Sequence, residues 1–151
     1  MSLIEQVDKD YIAAYKAKDQ LRVSVLRMLK TSVKNRLVDL RRPGGTLSDE
    51  EMLDVIIKEG KQRRDSITEY EKAGRADLAG REAAELAILE AYLPRALTPE
   101  ELAQVIEDAV AATGAASPRE MGKVMSAIMA RHKGQVDGKT LSAAVRQRLS
   151  K

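Results

Sequence analysis

The chain contains no phenylalanine, no tryptophan and no cysteine, and this restricts its core more than any single motif does. Its four aromatic residues are tyrosines, among them Tyr11 and Tyr15 near the N-terminus. The core must therefore be built from Leu, Ile, Val, Met and Ala, a set that favours helices over a sheet. We expect an all-α protein with Tyr11 and Tyr15 in its core.

Hydrophobic spacing and helix-capping signals predict about four helices in residues 1–93 and three in residues 94–151. Ser48 with Glu51 has the spacing of a capping box, and Thr98 with Glu101 repeats it behind Pro99. Leu93 and Pro94 mark the boundary, because a proline ends the preceding helix. The sequence thus predicts a helical N-terminal domain and a small three-helix tail domain. Gly80 predicts frayed first turns in the fourth helix.

The basic residues are unevenly distributed along the chain. Residues 117–151 contain eight Lys or Arg against two acidic residues, and residues 16–42 contain nine against two. Residues 49–90 reverse the balance, with twelve acidic residues against seven basic ones. For residues 16–42 the favoured interpretation is a basic helix packed beside an acidic one. The C-terminal excess indicates a surface for an anionic partner.

The segment 121–139 combines an apolar helix face with a basic turn. Gly134 is the expected left-handed end of one helix, and Asp137 is the expected N-cap of the next. Lys133 and Lys139 flank this turn, so two cations and a helix N-terminus could converge on a phosphate. A helix-turn-helix connection with ordinary caps explains the same residues equally well. The pattern G-x-x-x-G-K-T here is one residue shorter than a P-loop and follows a helix, which argues against nucleotide hydrolysis.

Four stretches carry a family resemblance: LRMLKTSVKN, KQRRDSITEYEKAGRADL, EAYLPRALTPEEL and MGKVMSAIMARHKGQVDGK. With them the chain resembles the YqeY-like family, whose C-terminal domain is shared with the tail of GatB, the tRNA-binding subunit of the glutamine-dependent aminoacyl-tRNA amidotransferase. The resemblance implies contact of the tail with the outer corner of tRNA. The residues that match the tail motif are Gly122, Lys123, Val124, Met125, Lys133, Gly134, Asp137, Gly138 and Lys139. The catalytic domain of the amidotransferase has no counterpart here, and Gly80 departs from the Glu expected in the family's fourth helix.

The resulting hypothesis is a cytoplasmic, non-catalytic accessory protein that binds tRNA or another structured RNA through its tail. We expect no cofactor, metal site, membrane contact or disulfide-linked partner, since the chain lacks cysteine, has His132 as its one histidine and shows no membrane-length apolar run. The candidate RNA-binding residues are Lys123, Arg131, Lys133, Gly134, Gly138, Lys139, Arg146 and Arg148.

Two other functions remain open. In the first, the N-terminal domain docks a translation-related or metabolic protein through four exposed cations: Lys58, Lys61, Arg63 and Arg64. The second, a carbon–nitrogen ligase that uses glutamine as its amido donor, is implied by the family association alone.

Overall fold

The computed structural model describes residues 1–151 and is entirely helical, which confirms the predicted all-α class. It divides into a first unit of residues 1–93 and a second unit of residues 94–151. Seven α-helices and one short 3₁₀ helix follow each other along the chain. They are α1 (Leu3–Lys16), α2 (Gln20–Asp39), α3 (Asp49–Lys72), α4 (Ala76–Glu90), α5 (Pro99–Thr113), the 3₁₀ helix Pro118–Glu120, α6 (Met121–His132) and α7 (Gly138–Leu149).

The first unit packs α1–α4 around an aliphatic core. Leu26 and Leu29 of α2, Ile56 of α3 and Leu89 of α4 are almost completely buried there. Leu47, in the loop before α3, is buried in the same core and ties that loop down. Each of these side chains contributes roughly 1.5–3 kcal/mol through burial.

Arg63 is buried in the first unit, so the prediction that it is exposed for partner docking was wrong. Its side chain is only 7% exposed and forms ion pairs with Glu85, which is also buried, and with Glu82 at 3.3 Å. Both acids belong to α4, so α4 supplies the negative charge that lets an arginine of α3 enter the interior. Of the other cations proposed for docking, Lys58 and Lys61 are exposed and Arg64 is half-buried.

Tyr15 is 64% exposed, so its predicted core position was wrong, whereas Tyr11 is half-buried against the core. The buried line of α1 runs through Val7 and Ala14. With 3.6 residues per turn, Tyr15 lies about 80° away from Val7 around the helix. Each step of four residues rotates the side chain by about 40° around the helix. After two such steps, from Val7 to Tyr11 and on to Tyr15, the side chain no longer faces the core.

The second unit packs α5–α7 around a core that contains no buried charge. Val124 and Ile128 of α6 and Leu141 and Val145 of α7 are almost completely buried. The methionines of α6 are partly buried and pack against this core, as their helical spacing predicts.

The predicted helix starts are confirmed by their hydrogen bonds. The N–H of Glu51 donates to Ser48 Oγ at 3.2 Å, and the N–H of Glu101 donates to Thr98 Oγ1 at 3.1 Å. α4 is helical from Ala76 onward, so the frayed first turns expected from Gly80 are absent. The cost of a helical glycine is about 1 kcal/mol, which the packing of α4 against α3 outweighs.

Two non-glycine residues, Lys18 after α1 and Arg41 after α2, have positive φ angles of 58° and 59°. After α3 and α5 the same conformation is taken by Gly74 and Gly114, with φ of 71° at both. No helix of the structure combines the length and the apolar character needed to cross a membrane.

Candidate nucleic-acid interface

The connection between α6 and α7 has the predicted cap residues. Gly134 has φ 81° and follows the end of α6, and Asp137 caps α7. One carboxylate oxygen of Asp137 accepts the N–H of Thr140 at 2.8 Å, and the other accepts the Thr140 hydroxyl at 2.8 Å. The first turn of α7, which begins with Gly138, therefore already holds a carboxylate, and that negative charge opposes a second anion at this point.

The two lysines predicted to flank this turn differ in exposure. Lys133 is half-buried, whereas Lys139 is exposed in the first turn of α7. An incoming phosphate would therefore contact Lys139 more freely than Lys133.

α7 presents two cations on one exposed line. Lys139 and Arg146 are seven residues apart, which places them on the same side of the helix and about 10 Å apart along its axis. Both side chains are exposed and neither forms an ion pair; the exposed Ala143 lies between them. This pair is the most accessible part of the predicted RNA-binding set.

Arg148 does not belong to that line. It is nine residues from Lys139, which is half a turn around the helix. Its guanidinium forms a two-pronged ion pair with Glu107 of α5, in which Nη2 donates at 3.2 Å. The hydrogen bond from Arg148 lowers the pKa of Glu107. Arg148 therefore joins α7 to α5, and its charge is already compensated.

The two α6 cations have different neighbours from Lys139 and Arg146. Lys123 lies at the start of α6, 3.7 Å from Glu120, and remains largely exposed. Arg131 lines a groove of about 220 Å³ between α5 and α6, together with Asp108 and His132. The structure thus distributes the predicted set over several faces of the second unit.

His132 has a structural explanation. Its Nδ1 lies 2.9 Å from Gln135 Oε1, and Gln135 Nε2 donates to the carbonyl of Arg95 at 3.0 Å. The carbonyl of Gln135 accepts the N–H of Leu97 at 2.9 Å. These bonds attach the α6–α7 connection to the segment before α5. No group of three His, Cys, Asp or Glu side chains is placed to hold a metal ion.

A second cationic surface lies in the first unit, where the sequence interpretation did not place a site. A groove of about 220 Å³, here called the α1–α2 groove, is lined by Tyr11, Arg27, Lys30, Thr31 and Lys34. Its three cations follow each other at spacings of three and four residues on α2, a pattern that could have identified it.

For residues 16–42 the sequence favoured a basic helix packed beside an acidic one. That arrangement is found on the side of α2 opposite the α1–α2 groove. There Arg36 shares a groove with Glu59 of the acidic helix α3. The cations of the α1–α2 groove lie instead beside α1, where Asp8 is their one acidic ion-pair partner, 3.4 Å from Lys30.

Comparison with known proteins gives one family match. The family described as Yqey-like protein matches residues 4–149. Among curated proteins, the chain is 37% identical over 90 residues to "Altered inheritance of mitochondria protein 41, mitochondrial" of Lachancea thermotolerans, which covers 60% of this chain and 47% of that protein. It is 36% identical over 107 residues to the protein of the same name in Kluyveromyces lactis, covering 69% of this chain and 57% of that protein.

The aligned segment spans about half the length of these curated relatives. Their names state no catalytic activity and no ligand. They do state a mitochondrial location, which overturns the plain cytoplasmic assignment made from the sequence. That assignment rested mainly on the absence of a membrane-length apolar run, a property that suits proteins of more than one compartment.

Proposed function

The chain belongs to the family of Yqey-like proteins, and from this premise we propose that it is a non-catalytic protein that binds tRNA or another folded RNA through its second unit. The observation that carries the proposal is the exposed pair Lys139 and Arg146 on α7. At a spacing of about 10 Å, both of these long side chains can contact phosphates of the same nucleic-acid backbone. The excess of basic residues after residue 117 adds a long-range attraction for RNA.

The composition of the second unit favours a folded RNA over a single strand. Residues 94–151 contain no Phe, Tyr or Trp, so unpaired bases find no aromatic ring on which to stack, apart from the half-buried imidazole of His132. Recognition therefore rests on phosphates and on the shape of the RNA. Such binding is sequence-tolerant and weakens steeply as the salt concentration rises.

The eight predicted residues contribute unequally in this proposal. Lys139 and Arg146 make the main contacts, and Lys123, Arg131 and the half-buried Lys133 add charge at the edges. Arg148 contributes little, because binding RNA would first have to separate it from Glu107. Gly134 and Gly138 shape the backbone of the connection.

The direct test is fluorescence anisotropy of labelled bulk tRNA with the full chain at several salt concentrations. Replacing both Lys139 and Arg146 by Gln should lower the slope of log K against log salt by about 1.8, since each lost phosphate contact removes about 0.9. Arg148→Gln should change the slope much less. The matched control replaces Lys58 and Lys61 of α3 by Gln, which removes the same charge from exposed positions elsewhere. An unchanged slope in the Lys139 and Arg146 variant would refute binding through α7.

Protein docking by the first unit remains the alternative. It loses one of its four cations, because Arg63 is buried, and no observation favours a particular partner. Failure of the full chain to bind tRNA at low salt would shift the proposal to this alternative. Glutamine-dependent ammonia transfer by the purified protein would overturn the non-catalytic part.

A further inference from the structure

The α1–α2 groove has a different chemistry from the second unit, because its cations lie beside a tyrosine, Tyr11. Arg27 and Lys34 are seven residues apart on α2 and therefore lie on one side of it, about 10 Å apart. Lys30 lies between them, with its Nζ 4.6 Å from the centre of the Tyr11 ring and 3.4 Å from Asp8. Lys30 is thus held in place by protein groups.

The two outer cations retain donors for a ligand. Lys34 forms no ion pair, and Arg27 donates one hydrogen bond, from Nη2 to the Tyr11 hydroxyl at 3.4 Å. A guanidinium has five N–H donors, so four remain. The hydrogen bond with Tyr11 raises the pKa of Arg27, and the nearby Tyr15 adds to this effect. Two positive charges therefore face solvent along the groove.

Tyr15 supplies an exposed aromatic ring outside the lining of the groove, near Arg27. It lies one helical turn from Tyr11, is 64% exposed, and has no cation stacked on its ring. Ile12 of the same helix is 53% exposed next to it and extends the apolar surface. An exposed aromatic ring beside a basic groove is the combination with which proteins bind single-stranded nucleic acid.

We propose that the α1–α2 groove binds a single-stranded segment of RNA. An unpaired base stacks on Tyr15, and Arg27 and Lys34 contact phosphates of the same strand. A base inside a duplex cannot stack on a protein ring without leaving its partner, so the ligand is an unpaired loop or end.

A membrane surface fits this region less well. Interfacial helices bury a broad apolar face in the lipid. On α1 the large exposed apolar side chains are Ile12 and Tyr15, and they are surrounded by charged residues such as Lys9 and Lys16. This inference goes beyond the proposed function of the second unit and would hold even if that unit bound no RNA.

The test uses the full chain and a fluorescein-labelled oligouridine of about 12 nucleotides, a length within the range of single-strand binding sites. Tyr15→Phe keeps the ring and should bind like the wild type. Tyr15→Leu keeps apolar area without a ring and should weaken binding about tenfold, the effect of losing one stacked base. Tyr15 is on the surface, so both variants should fold like the wild type, and circular dichroism checks this.

The phosphate contacts are tested by replacing both Arg27 and Lys34 by Gln. For a single strand this should lower the salt slope by about 1.4, since each contact accounts for about 0.7. The control that replaces Lys58 and Lys61 by Gln should leave the slope unchanged. The Lys139 and Arg146 variant should bind oligouridine like the wild type, so failure of the tail proposal is distinguished from failure of this one.

Three results would overturn the inference. The first is no binding of oligouridine at low salt, and the second is equal binding by the Tyr15→Leu variant and the wild type. The third is binding to vesicles of phosphatidylglycerol and phosphatidylcholine that is lost when Arg27 and Lys34 are replaced by Gln and that oligouridine does not displace, which would assign the groove to a lipid surface.

Discussion

The two units of the protein use their charged residues in different ways. The first unit buries Arg63 and Glu85 between two helices, whereas the second buries no charged side chain. The first also contains all four tyrosines, and the core of the second is wholly aliphatic. The first unit, in which basic and acidic residues balance, thus places one ion pair in its interior, whereas the more basic second unit keeps its charged side chains out of its core.

The difference affects how strongly each core fixes the register of its packed helices. The Arg63–Glu85 pair can form only when α3 and α4 pack in one register, because any other register leaves a charge without its partner in the interior. Aliphatic contacts in the second unit tolerate small shifts, and its geometry depends more on caps and short loops. All the charges of the second unit remain at its surface, where a partner can reach them.

The largest expected effect comes from breaking the buried pair. Arg63→Met leaves the buried Glu85 with the exposed Arg81, 3.4 Å away, as its remaining ion-pair partner, and should lower the free energy of unfolding of the first unit by about 3 kcal/mol. Urea unfolding followed by tyrosine fluorescence measures it, because all four tyrosines lie in that unit.

The double variant with Arg63→Met and Glu85→Leu is the matched control. Replacing both charges by apolar side chains should recover most of the lost stability. Equal losses in the single and the double variant would contradict a role for the ion pair.

A cavity in the second unit should have the next largest effect. Ile128 is 1% exposed, and Ile128→Ala should lower the free energy of unfolding by about 2–4 kcal/mol. Ile128→Val, which removes one methyl group, should cost only about 1 kcal/mol. The helical circular dichroism signal at increasing urea concentration gives both values. If Ile128→Ala cost as little as Ile128→Val, the aliphatic core would have to collapse into the cavity left by the missing side chain.

The helix caps allow the two units to be compared at equivalent positions. Ser48→Ala in the first unit and Thr98→Ala in the second each remove a side chain that accepts an N–H of the first helical turn. Each should cost about 1 kcal/mol in denaturant unfolding. A markedly larger cost for Thr98→Ala would show that the second unit depends more strongly on its caps, as its aliphatic core suggests.

The smallest effect is expected in acid. Hydrogen bonds from Arg42 and from the Ser48 N–H lower the pKa of Glu51 from 4.5 to about 2, and Arg95 with the Thr98 N–H does the same for Glu101. Because these pKa values are lowered by folding, both carboxylates stabilise the protein above pH 4.5. Their contribution disappears as the pH falls from about 4.5 towards 2.

Both glutamates remain partly exposed to solvent, with 30% of the Glu51 side chain and 40% of the Glu101 side chain accessible, so the change in stability should be modest. Carboxyl NMR titration measures the two pKa values directly. Arg42→Gln should raise the pKa of Glu51 alone, and Arg95→Gln that of Glu101 alone. A titration of either carboxyl near its ordinary value in the wild type would contradict the ion pairs.

Local signals in the sequence predicted local structure well. The caps at Ser48, Thr98 and Asp137 followed from spacings of three residues, because both partners of each hydrogen bond lie in one turn of chain. The burial of Arg63 could not be read in this way. It depends on Glu85, which lies 22 residues away on another helix.

The candidate interface shows the same limit. Sequence identified the basic segment but could not show that Arg148 faces Glu107 across 41 residues, or that Tyr15 faces solvent. The α1–α2 groove was missed because composition alone could not show which side of α2 meets the acidic helix.

Lys18 and Arg41 are the residues whose backbone a glycine would adopt more easily, yet both carry positive charge. Glycine at either position should make the fold slightly more stable and the surface less basic. At these two turns a gain in stability and the retention of positive charge therefore make opposite demands on the residue type. Which residue type dominates there across many species would show which demand is the stronger.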